Sequence, residues 1–140
     1  MSKGDFIYYL DNKSIKRISI IFNLPYDKSL QDWELELANH KKVNSFIQHF
    51  DDKYLMDSDK IALFALIVSS YDDALNYNKG SLHIENRIIK IASDNIKLLS
   101  GVIDYWSQYN GQEENLFKIS RLMRFIKKLS YSYHLSSHIS

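Results

Sequence analysis

The side chains with the most chemical reach in this 140-residue chain are five histidines and seventeen carboxylates; there is no cysteine. His134 and His138 stand four residues apart, a spacing that puts two metal ligands on one helix face. They lie in a serine-rich tail, Ser130 to Ser140, with no cysteine or nearby carboxylate, so no metal is expected there. His83 and Glu85 form a His-x-Glu, but the downstream Pro-Cys-x-x-Cys of zinc deaminases is missing. His40 falls among apolar residues at helical spacing and reads as a hydrogen-bonded core or interface histidine. A di-iron helical bundle requires Glu-x-x-His pairs. The glutamates at 34, 36, 85, 113 and 114 are followed three residues on by Leu37, Asn39, Ile88, Leu116 and Phe117. The arginine-then-histidine pair of small helical ribonucleases fails as well: none of Arg17, Arg87, Arg121 and Arg124 has a histidine within six residues downstream. No Gly-x-Ser-x-Gly elbow and no glycine-rich phosphate loop occurs. An enzyme using Asp72, Asp73, His40 or Glu85 would follow no recognisable pattern. The chain therefore reads as non-enzymatic, with no cofactor.

Two charged surfaces remain. Net charge is only +1, but it is unevenly spread. Residues 27–73 carry ten acids against five lysines, whereas residues 113–140 carry five bases against two acids. Lys118, Arg121, Arg124 and Lys128, at spacings of three and four with Lys127 beside them, form a basic helix face. Such a helix could serve a nucleic-acid-binding regulator, the alternative reading. The acidic middle argues against a uniform nucleic-acid footprint, so nucleic acid is not the expected partner. The second surface is acidic and aromatic. Tyr71, Asp72, Asp73 and Tyr77 follow the main apolar run, and Asp51 and Asp52 lie at the turn before it. Asp57 and Asp59 suit a helix N-terminus, but Asp72 and Asp73 near a C-terminus oppose the macrodipole. Either the helix ends early, leaving Ser69 to Asp73 in a loop, or these charges serve a partner. Tyrosine with aspartate suits recognition of a basic protein surface.

The elements that must position these residues are helical. Ile61 to Val68 is eight apolar residues in a row, the longest such run in the chain. A run without polar interruption belongs to an element covered on nearly all sides. Asp57 or Ser58 can cap it, which predicts a central buried helix over about 58–75. Ser14 can cap a helix carrying Ile15, Ile18, Ile21 and Phe22, which Asn23-Leu24-Pro25-Tyr26 ends. Ser29 opens a stripe of Leu30, Trp33, Leu37, His40, Val43, Phe46, Ile47 and Phe50, read as one long helix or one broken near Asn39. After a loop at residues 76–81, Ile84, Ile88, Ile91, Asn95, Leu98, Val102, Tyr105 and Tyr109 continue the helical period. They are flanked by Ala92, Leu99, Ile103 and Trp106, and Gly101 either ends a helix or sits inside it. A turn at Asn110-Gly111-Gln112 precedes Leu116, Ile119, Leu122, Met123 and Ile126, with Ser120 a candidate cap. The expected fold is all-α: a single compact bundle of about five helices in one domain over 1–140. Residues 1–13 form an arm or short strand, and 130–140 a frayed tail. Few glycines and one proline fit long helices. No apolar run reaches the ~20 residues of a membrane span. The N-terminus lacks a signal-peptide pattern, so a cytoplasmic protein is expected.

The segment from Asp59 to Asp73, Asp-Lys-Ile-Ala-Leu-Phe-Ala-Leu-Ile-Val-Ser-Ser-Tyr-Asp-Asp, and Ile103-Asp104-Tyr105-Trp106-Ser107 downstream, resemble small helical immunity proteins. These belong to bacterial contact-dependent growth inhibition and related polymorphic toxin systems. The resemblance implies a cytosolic, non-enzymatic protein that binds the C-terminal toxin domain of its cognate system, often a nuclease, and occludes its active or substrate-binding site. The residues expected to meet such a partner are Asp51, Asp52, Tyr71, Asp72, Asp73 and Tyr77.

Overall fold

In a computed structural model of the chain, residues 10–26, 32–107 and 117–139 are described, with side chains as far as residue 130. Among these residues the fold is all-α, with seven α-helices, one 3-10 turn and no strand. The helices group into two compact units, one within Tyr8–Gly80 and one within Ser81–Ser140. The expectations for residues 5–9, Ser29 and Leu30, the turn at 110–112, and the side chains of His134 and His138 lie outside the described residues.

The first unit holds α1 (Asn12–Ile21), α2 (Trp33–Glu36), a 3-10 turn (His40–Lys42), α3 (Val43–Gln48) and α4 (Asp57–Asn76). Helix α4 is its axis, packed by α1, α2, the 3-10 turn and α3. Every residue from Ala62 to Tyr71 is buried, so this helix lacks the polar stripe of a surface helix because it has no surface face there. Trp33, Phe46, Phe50 and Ile18 complete the core, each almost fully buried. The Trp33 indole donates to Ser19 Oγ at 3.2 Å, fixing α2 on α1. Phe22 meets Phe46 edge-on, with ring centroids 4.8 Å apart.

Two asparagines stop helices here. Asn23 (φ 54°) and Asn78 (φ 58°) adopt the left-handed conformation that asparagine tolerates. In each case the next residue reaches back: Leu24 N–H to Ser19 O and Lys79 N–H to Ala74 O, both at 2.8 Å. With Asn23 N–H on Ile20 O and Asn78 N–H on Leu75 O, both ends are Schellman motifs. Helix α1 ends at Asn23-Leu24-Pro25-Tyr26 as expected, with Asn23 making the stop ahead of Pro25. Ile21, expected on the apolar stripe, is 45% exposed and not in the core. Asp11 rather than Ser14 caps α1, through its side chain and Lys13 N–H. Ser14 is instead buried inside the helix.

The stripe over 30–50 is broken, not continuous. Leu37 ends α2, and Asn39, extended at φ −150°, caps the 3-10 turn by accepting Lys41 N–H. The second unit repeats this device. It comprises α5 (Leu82–Asp94), α6 (Ile96–Ser107) and α7 (Ser120–Ile139), each packed on the other two. The break falls at Asn95, whose side chain donates to Ile91 O at 2.8 Å, and Gly101 lies inside α6. The break resets the helical phase. Leu98 is therefore only half-buried, as is Ile91 before the break, and the core seam is Ile84, Ile88, Ala92, Leu99, Val102, Ile103 and Trp106. Ile119, just before α7, and Met123 and Ile126 within it complete the seam. Helix α7 starts at Ser120, whose hydroxyl donates to Trp106 O at 2.7 Å. Its backbone stays helical through the stretch expected to fray.

Candidate functional site

The expected site residues divide between the two ends of α4. Asp57 and Asp73 are on the order of 24 Å apart along the axis at ~1.5 Å per residue. Asp51 and Asp52 precede the N-terminal end, and Asp72, Asp73 and Tyr77 mark the C-terminal end, so the fold does not join the six residues into one surface.

At the C-terminal end the helix continues to Asn76 instead of releasing Ser69 to Asp73 into a loop. Ser69 and Ser70 are buried and used: Ser69 Oγ donates to Glu34 O at 2.6 Å, and Ser70 Oγ accepts Asn39 N–H at 3.0 Å. Tyr71 is 1% exposed and belongs to the core, so it is not a contact residue. Asp73 Oδ2 accepts the His40 N–H at 3.0 Å and lies 2.9 Å from His40 Nδ1. Ser70 and Asp73, three apart on one face of α4, thus receive the first free N–H groups of the 3-10 turn. The charge that the α4 macrodipole opposes is offset by holding another element's N-terminal end. Tyr77 lies over the His40 ring, with centroids 4.6 Å apart. Asp72 Oδ2 is 3.5 Å from Asn76 Nδ2, and Asp72 O accepts the same amide at 3.0 Å. His40 is thus a hydrogen-bonded, largely buried histidine, as expected from its place on the stripe.

The N-terminal end is different. Between α3 and α4 the chain makes two tight turns, Asp52 N–H to His49 O and Leu55 N–H to Asp52 O. Phe50 is buried and anchors one side of this loop. On the other side Asp59 Oδ2 accepts the Met56 N–H at 3.0 Å, so Met56 takes the N-cap position where Asp57 or Ser58 was expected. Asp59 is itself locked. Arg17 Nε and Nη2 both lie 2.8 Å from its Oδ1, while Ser14 Oγ donates to Ser58 Oγ at 2.8 Å. Burial alone would raise the Asp59 pKa, but the Arg17 and Met56 hydrogen bonds outweigh it and hold the carboxyl below its ordinary 3.8. The Arg17 guanidinium is raised in return, chiefly by the same hydrogen bond.

What this braced loop presents is Asp51, Lys53, Tyr54, Met56 and Asp57, all exposed, with Asp52 half-exposed and 2.8 Å from His49 Nδ1. Tyr54 is 86% and Met56 59% exposed. Sequence reasoning placed Asp51 and Asp52 here but passed over Tyr54 and Met56. The signal available was an aromatic residue two positions after an acidic pair, in a segment too short to be a helix.

The basic helix is also divided. Arg124 Nε donates to Ser107 O at 2.8 Å, satisfying the end of α6, and Lys127 Nζ lies 2.7 Å from Asp104 Oδ1. Lys118, Arg121 and Lys128 stay exposed. Among the described residues no group of three metal-ligating side chains comes together, and no helix is long and apolar enough to cross a membrane. Compared with known protein families, curated proteins and solved structures, the chain gives no significant match.

Proposed function

We propose that the chain is an immunity protein that binds the toxin domain of a bacterial contact-dependent inhibition or related system in the cytoplasm. It would cover the toxin's active or substrate-binding site. The observation that carries this reading is the exposed pair Tyr54 and Met56, set among Asp51, Asp52 and Asp57 on a braced loop. Exposed aromatic and methionine side chains are favoured centres of protein interfaces, and a rim of carboxylates complements a basic partner. A toxin that acts on nucleic acid presents such a basic surface. Bracing by Phe50 and Asp59 means little loop entropy is lost on binding. Asp51 and Asp52 keep their expected role in this reading. Tyr71 loses it to burial, and Asp73 loses it to His40. Co-expression with the toxin domain encoded beside its gene tests the proposal. Growth should be restored and the two proteins should co-purify, and Tyr54→Ala should abolish both. A pair that neither co-purifies nor restores growth rules the reading out.

A further inference from the structure

Helix α7 and the turn before it carry a second exposed strip on the side away from the buried Ile119, Met123 and Ile126. Lys118, Arg121, Phe125, Lys128 and Leu129 follow one another at helical spacing and are all exposed, Phe125 by 49% and Leu129 by 39%. Three cations with two apolar side chains do not make a good nucleic-acid face. The two further bases nearby, Arg124 and Lys127, are held by Ser107 O and Asp104. The strip fits an acidic segment that carries its own exposed apolar residues. The chain contains a segment of that chemistry: Asp51, Asp52, Tyr54, Met56 and Asp57, three acids against the single exposed base Lys53.

We propose that the chain self-associates by seating the α7 strip of one copy on the 51–57 loop of a second copy. The proposal rests on charge and exposure, not on the toxin reading. It adds a regulatory consequence to that reading, because a loop covered by a second copy must be released before a partner can use it. The contact is electrostatic at its rim and small, so it should be weak and salt-sensitive. Sedimentation velocity on the full chain over a concentration series tests it, at low and at high salt. The mass should rise from the 16.5 kDa of one copy to at least twice that at low salt and return at high salt. Arg121→Glu with Lys128→Glu should leave a single copy, and so should Asp51→Lys with Asp57→Lys, with circular dichroism confirming helicity in each. Mixing the two variants should restore association, because the reversed strip then faces the reversed loop. The proposal is overturned if the wild type stays at one copy throughout, if either variant associates like the wild type, if the mixture stays apart, or if nuclease treatment removes the association.

Discussion

The two ends of α4 carry similar residues and use them in opposite ways. At the C-terminal end Tyr71 is buried, while the Asp73 carboxylate lies on the His40 N–H and ring. At the N-terminal end Tyr54 stands in solvent, and Asp51 and Asp57 stand beside it. Residue type does not separate these cases. What separates them is whether a neighbouring element supplies donors and apolar cover. Around Ser70 and Asp73 the 3-10 turn brings two free N–H groups. Around Tyr54 the loop is fixed from beneath by Phe50 and Asp59, and its outer side stands exposed among the described residues. At the C-terminal end Tyr77 remains exposed but lies over the His40 ring, whereas Tyr54 and Met56 project from the N-terminal loop.

The comparison can be broken most forcefully at Tyr71. Tyr71→Ala removes a fully buried ring from the axis of the unit. It should cost about 3–5 kcal/mol, lowering the thermal midpoint by on the order of 10 °C or more. A melting curve close to wild type would mean that this end is not core. Asp59→Ala comes next, since it strips Met56 of its N–H acceptor and Arg17 of its partner. A loss of about 1–3 kcal/mol is expected in denaturant titration. The same pair has a pH signature. The Asp59 carboxyl is lower in the folded chain than its ordinary 3.8, so below that value the unfolded chain binds the extra proton. The pair's contribution is complete above about pH 5 and is lost as pH falls through the lower folded value. Asp59→Asn should flatten the acid side of the stability profile and leave neutral pH to report only the lost ion pair.

Asp73→Ala should cost less, about 1–2 kcal/mol, and should loosen the 3-10 turn. Faster amide exchange at His40 would register it. Smallest of all, Tyr54→Ala should change stability by less than ~0.5 kcal/mol, as expected for a surface site. Its effect should appear in binding, where an interface anchor is worth ~2 kcal/mol or more, a loss of affinity of about thirtyfold at the least in titration calorimetry.

Much of the fold can be read from the chain itself. The eight-residue apolar run places α4 within two residues of its observed ends. The stripes around it identify Trp33, Phe46, Ile88 and Met123 as core. Harder to read are the breaks. Asn39 and Asn95 interrupt their helices because a short amide side chain can satisfy the backbone without a continuing helix, and helical spacing runs on across both. In the candidate site, Asp51 and Asp52 were legible from acid density beside a turn. Tyr71 was misread because a tyrosine before two aspartates resembles surface. Its burial is a property of the packed unit, and no local pattern shows it. The Arg17–Asp59 pair, which braces the loop, joins residues 42 positions apart, and no local pattern links them.

The contrast between the two ends is tested most directly by taking Tyr54→Ala and Asp73→Ala together through one assay of growth rescue with the candidate toxin and one thermal melt. The account predicts that Tyr54→Ala melts like the wild type and no longer rescues growth. Asp73→Ala should melt lower yet still rescue growth at temperatures where it is folded. Rescue kept by Tyr54→Ala and lost by a folded Asp73→Ala would place the partner surface at the other end of α4 and contradict the account.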